Sequence, residues 1–131
     1  MIRISDQMMR IPLRIDVEDI GILEGELVRF YAPLTVKDLL KMIPLEGFLA
    51  KWDYAVYFQI DLRRGAEKIS SKISRGDMLF WPPGPYILIA FRDASPPSQM
   101  VRIGQVKHGY EELVRVKPGS KIRINFSNVV T

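Results

Sequence analysis

Met78-Leu79-Phe80-Trp81-Pro82-Pro83-Gly84-Pro85-Tyr86-Ile87-Leu88-Ile89-Ala90-Phe91 reads as two strands and the turn between them. Met78 to Trp81 is short and apolar. Pro82-Pro83-Gly84-Pro85 stops it, because proline fixes its own φ and donates no backbone hydrogen bond. Tyr86 to Phe91 is a continuous apolar run of strand length, which predicts burial on both faces. Arg75-Gly76-Asp77, just upstream, is a turn.

Working outward toward the N-terminus, Asp61 to Lys72 is polar, contains Gly65 and reads as a long flap, with weak strand character near Ile69 to Ile73. Before it, Trp52, Tyr54, Val56, Phe58 and Ile60 alternate with Asp53, Ala55, Tyr57 and Gln59, the period of a strand. Thr35 stands before Val36, Leu39, Leu40 and Ile43, which share one helix face. Thr35 is the expected N-cap, with Asp38 at the capping-box position, and Pro44 ends the helix. Met9, Ile11, Leu13, Ile15 and Val17 alternate with polar residues in a first strand, which Pro12 places at an edge or makes irregular. Ile20 to Phe30 is a second strand.

Toward the C-terminus, Arg92 to Ser98 is a loop and Met100 to Lys107 a strand with a bulge expected at Gly104. Tyr110 to Val116 is a short helical turn, Pro118-Gly119 a turn, and Lys121 to Phe126 the last strand. The sum is about eight short strands and two short helices with turns at close spacing. That predicts a mainly β, closed antiparallel barrel or sandwich. With no linker or repeat, residues 1–131 form one domain, and 1–8 an N-terminal extension.

The composition narrows the chemistry. The 131 residues include no Cys and one His, which leaves no thiolate catalysis and no expected metal site. Lys plus Arg is 19 against 15 Asp plus Glu. The excess lies in residues 66–131, with 10 basic against 5 acidic side chains. These cations are scattered through alternating patterns, so the reading sets nucleic-acid binding aside. Met1 to Asp6 has no apolar core of a signal peptide, and no run reaches the length of a membrane helix. A soluble, cytoplasmic protein with no membrane partner is the expectation. The glycines form no dinucleotide or phosphate loop, and the serines no nucleophile elbow, so no cofactor is expected.

Among candidate functional residues, Trp81 is held at a strand end by stiff backbone and would wall a groove; its competing role is core packing. Arg92-Asp93 closes the buried strand, but neighbours on a strand point to opposite faces, which favours a surface ion pair for each. Arg63-Arg64 reads as solvated flap. His108, before Gly109, has a turn or cap role, since the sequence supplies it no placed partner.

Thr35 to Pro44, the Trp52 to Phe58 strand, Gly76-Asp77 through Trp81-Pro82-Pro83-Gly84, the apolar strand ending at Phe91, Ser98 to Val106 with Ile103-Gly104, and the closing strand follow one another in a telling order. That order resembles the small prokaryotic cyclophilin-like domains of uncharacterised function, over residues 9–127. The resemblance implies an eight-stranded cyclophilin-type barrel with two helices. Prolyl isomerases of the cyclophilin class carry an F-H-R segment, whose Arg polarises the substrate imide, and a Q-G-G-D run. This chain has neither. It also has Met100-Val101-Arg102-Ile103-Gly104 where members often place an Asn before Val/Ile-Ile-Gly.

Three functions compete. The first is a barrel that binds a small molecule or peptide segment without isomerase activity, its groove lined by Tyr57, Gln59, Trp81, Phe91, Arg92 and Met100. The second is a divergent peptidyl-prolyl isomerase using Arg63 or Arg92 as donor. The third is a homodimer in which Met1 to Met8 pairs with a neighbour's edge strand.

Overall fold

The structure is a computed structural model that describes residues 9–127. The expected hairpin forms as β6 (Asp77–Trp81) and β7 (Tyr86–Ala90), paired from Met78↔Ile89 to Trp81↔Tyr86. Ile87 and Ile89 point into the main core, while Leu88 and Ala90 join a second cluster on the opposite face. All four are buried, as the unbroken apolar run requires.

The remaining strands are β1 (Arg10–Val17), β2 (Gly21–Val28), β3 (Leu45–Phe48), β4 (Ala50–Lys51), β5 (Ala55–Gln59), β8 (Val101–Val106) and β9 (Lys121–Phe126). They form one antiparallel sheet in the order β3-β9-β1-β2-β8-β6-β7-β5-β4. Its two ends, β3 and β4, are consecutive in the chain. Residues 45–51 thus pair with β9 through β3 and with β5 through β4, and this near-closes the barrel. Between them Leu49 donates to the Ser120 carbonyl and accepts from Gly119 N, both at 2.8 Å. Gly47 permits the crossing, since a Cβ there would sit 2.7 Å from the Phe58 ring.

Inside, Leu13, Leu27, Met78, Ile87, Ile103 and Ile124 meet Leu39 from α1 (Pro33–Met42). The void they leave is about 10 Å³, no more than a single water needs. The barrel interior at this layer is a packed core.

The mainly β antiparallel barrel is as expected, with nine strands among the described residues for about eight, because 45–51, which had no assignment, supplies two short ones. Several details are corrected. The flap strand near Ile69 is not formed; only an Ile73↔Ala94 bridge remains of it. Trp52 and Tyr54 are not strand residues but the turn into β5, closed by Trp52 N to Ala55 O at 2.8 Å. Thr35 is not the N-cap: α1 begins at Pro33, and Glu67 of the flap accepts from the amides of Leu34 and Thr35. Asp38 instead pairs with Arg64 at 2.9 Å. β1 is not an edge strand, but Pro12 lies just before its ladder with β9 begins at Leu13. The second helix is a 3-10 turn, Tyr110–Arg115, and a shorter one spans Arg29–Tyr31. The bulge beside Gly104 is present. Residues 1–8, with the proposed dimer contact, and the tail 128–131 lie outside the described residues. Among the described residues no helix is long and apolar enough to cross a membrane.

Candidate functional site

Side chains alternate along strands, so a barrel whose inner face is filled turns every second residue outward. On β5, β6 and β7 most of those outward residues are apolar or aromatic, with Gln59 and Asp77 the polar exceptions. Ala55, Leu79, Leu88 and Ala90, with Ile73 and Met100 from the flanking loops, are all buried in the second cluster. The two loops are joined over it by Ser70 N to Met100 O and by paired bonds between Ile73 and Ala94.

One end of this outer face is aromatic. Trp52 lies 4.6 Å from Tyr57, 5.5 Å from Trp81 and 6.0 Å from both Tyr54 and Tyr86, centroid to centroid. Tyr57 and Tyr86 are cross-strand diagonal neighbours at 4.7 Å, and Trp81 stacks on Tyr86 at 6.0 Å. All five rings are half-buried. The Trp81 indole N–H donates to Ser98 O at 2.9 Å, which fixes the ring plane. Burial pushes the Tyr54 phenol up from its ordinary value.

Of the residues expected to form a groove, Tyr57 and Trp81 are in this ring cluster, Met100 is fully buried in the apolar layer beside it, and Gln59 borders it, donating to Gly84 O at 3.3 Å. Phe91 is elsewhere, in the barrel's main core. Arg92 lies over the Phe91 ring and donates to the Asp53 carbonyl. Asp93 forms its own ion pair with Arg75, so the adjacent pair divides as alternation requires. Arg64 is tied to Asp38, and exposed His108 lies 4.0 Å from Glu24. Trp52, Tyr54 and Tyr86 were not among the expected groove residues. The turn at 52–54 folds two rings back over β5, and strand alternation cannot reveal that.

The other end is charged. Glu26 on β2, Gln105 on β8 and Asp77 on β6 are direct cross-strand partners in one row. Arg102 joins them because of the bulge. Residues three apart on a regular strand face opposite ways. The β6–β8 register steps from Met78↔Gly104 to Leu79↔Arg102 and skips Ile103, which returns Arg102 to the side of Gln105. Gln105 Nε2 donates to Glu26 Oε2 at 2.7 Å, and Arg102 Nη2 donates to Gln105 Oε1 at 2.8 Å. Arg10 also donates to Glu26, at 2.6 Å. Arg102 Nε is 2.9 Å from Asp77 Oδ1, an ion pair by distance whose angle falls short of a hydrogen bond. Its guanidinium sits 4.1 Å from the Tyr31 ring centroid. Burial raises the Asp77 carboxyl above its ordinary value, against the pull of the Ser74 amide and Arg102. A cleft of about 480 Å³ opens over the row, walled by Ser74, Arg75, Lys107 and Tyr110. Gly104 was the only sequence signal for this end.

The family model described as Cyclophilin-like matches residues 10–125. The chain belongs to the cyclophilin-like family. The solution structure of a hypothetical protein from Archaeoglobus fulgidus is similar, with a TM-score of 0.73 and 24% identity over 91% of this chain and 96% of that one. At that identity the likeness establishes the fold alone. No curated protein matches the chain.

Proposed function

We propose that this cyclophilin-like barrel is a binding protein without prolyl isomerase activity, and that its ligand docks on the aromatic end of the outer face. The ligand is an apolar, proline-bearing peptide segment or a small flat molecule. The supporting observation is the cluster of five half-buried rings, Trp52, Tyr54, Tyr57, Trp81 and Tyr86, each within 6.0 Å of at least one other, on the β5–β7 face and the turn that leads into it. Aromatic surfaces of this kind give apolar area at low entropic cost and suit extended proline-containing segments. Gln59 on the border supplies one amide for orientation. Catalysis of imide rotation would need a cationic donor aimed at the proline nitrogen. Arg92, one of the two candidates, spends its guanidinium on the Asp53 carbonyl and the Phe91 ring.

Both tryptophans of the chain are in this cluster, so selectively excited tryptophan emission reports on it alone. Titration with short Xaa-Pro peptides and with small aromatic molecules is expected to shift that emission saturably. Trp81→Ala should weaken the binding at least about tenfold. Micromolar protein should leave proline isomerisation rates in the same peptides unchanged. Absence of any saturable shift sinks the binding site; accelerated isomerisation overturns the non-catalytic assignment.

A further inference from the structure

We propose that the cleft over Glu26, Asp77, Arg102 and Gln105 is a second binding site, and that it takes a small molecule through a single carboxylate group.

Most of the charges around the cleft are already spent. Glu26 and Asp77, on the cleft floor, are buried. Glu26 accepts from Arg10 and Gln105, and Asp77 accepts from the Ser74 amide and faces Arg102. Arg75, on the wall, is paired with Asp93. Charge for charge, Arg10 offsets Glu26, Arg102 offsets Asp77 and Arg75 offsets Asp93, with Glu111, outside the cleft lining, also acting on Arg75. Lys107 is left over. It is exposed and lines the same cleft; its backbone amide donates to the Glu24 carbonyl, while its ammonium has no ion-pair or hydrogen-bond partner among the described residues.

The donors point the same way. Arg102 uses Nη2 on Gln105 and sets Nε beside Asp77, whereas Nη1 has no partner among the described residues. Tyr31 against its face and Gln105 at its edge hold the guanidinium in one orientation, so a ligand would meet a donor ordered in advance. One uncompensated positive charge beside an unspent guanidinium N–H matches one negative charge with two acceptor oxygens. A cation would meet three positive side chains lining the cleft, Arg75, Arg102 and Lys107, and two acids that are already satisfied. A dianion would exceed the available charge.

The experiment is a ¹H–¹⁵N titration of the full chain, following the Arg102 Nε–H and Gln105 amide signals. The probes are acetate and benzoate, then inorganic phosphate, with sodium chloride at matched ionic strength as control. Saturable shifts with the carboxylates in the millimolar range, larger than with chloride, are expected. Lys107→Ala should weaken carboxylate binding about fivefold to tenfold, and Lys107→Arg should restore it. Substituting Arg102 would leave Asp77 buried and unpaired and could unfold the chain, so the exposed Lys107 carries the test. Shifts no larger than with chloride, a Lys107→Ala variant that titrates like the parent, or tighter binding of phosphate would each overturn the proposal. Trp81→Ala should bind acetate normally, which separates this site from the aromatic one.

Discussion

A Cβ on Gly104 would lie 2.0 Å from the Glu26 carbonyl oxygen. No rotamer relieves that contact, because both groups are backbone or attached directly to it. β8 can approach β2 only with glycine at this position, and the same position borders the bulge that turns Arg102 toward Gln105. Gly104→Ala must push the two strands apart. It should cost at least about 3 kcal/mol in urea denaturation. Because the bulge also places Arg102, any folded fraction should show a displaced Arg102 Nε–H resonance. A variant as stable as the parent, with that signal unmoved, would mean that the close approach is not made.

Helix α1 shows how an element can be found correctly and started wrongly. Val36 and Leu39 take the buried face that their spacing assigns, and Pro44 follows the end. The N-terminus depends instead on a residue 32 positions downstream of Thr35, since Glu67 caps the amides of Leu34 and Thr35 from the flap. Local sequence offers Thr35 as a cap and holds no mark of Glu67, because a tertiary cap follows from where a loop is laid. The same limit explains the outer face. Alternation along β5 and the apolar runs of β6 and β7 were readable, but Trp52 and Tyr54 mimic that alternation while forming a turn, and the strands within 45–51 are too short, four and two residues, to announce themselves. The charged row across β2, β8 and β6 depends on register, which the sequence of one strand does not contain. Glu67→Ala should cost about 1 kcal/mol at neutral pH, the usual value of a cap. Burial pushes the Glu67 carboxyl up, but the Thr35 and Leu34 hydrogen bonds and the charge of Arg64 together hold it below its ordinary value. Its contribution is therefore complete above the ordinary carboxylate range and is lost as pH falls through the lowered value. Thermal unfolding of parent and variant should differ at pH 7 and converge in acid. A gap that persists unchanged in acid would refute the cap.

At the scale of the whole molecule, the barrel depends on whether 45–51 is a keystone or a clip. β3 and β4 are short, yet they join the two ends of the sheet, β9 and β5. A sheet of this length without closure would present two unpaired edges and let water reach the core between them. Leu49 sits at the break between the two strands, 2% exposed, with both backbone groups bonded to the 119–120 turn. Leu49→Ala keeps those backbone bonds and removes only the buried side chain. If closure is cooperative, the cost should be about 2–4 kcal/mol, and amide exchange should accelerate together in β3, β5 and β9. The urea m-value should stay constant, because the same surface is exposed on unfolding. If 45–51 is only a clip, exchange will quicken in that segment alone while β5 and β9 keep the parent's protection. Along the hydrogen-bonded order β9 and β5 are separated by five other strands, so quickened exchange at both, with those five strands protected, points to the segment that joins them.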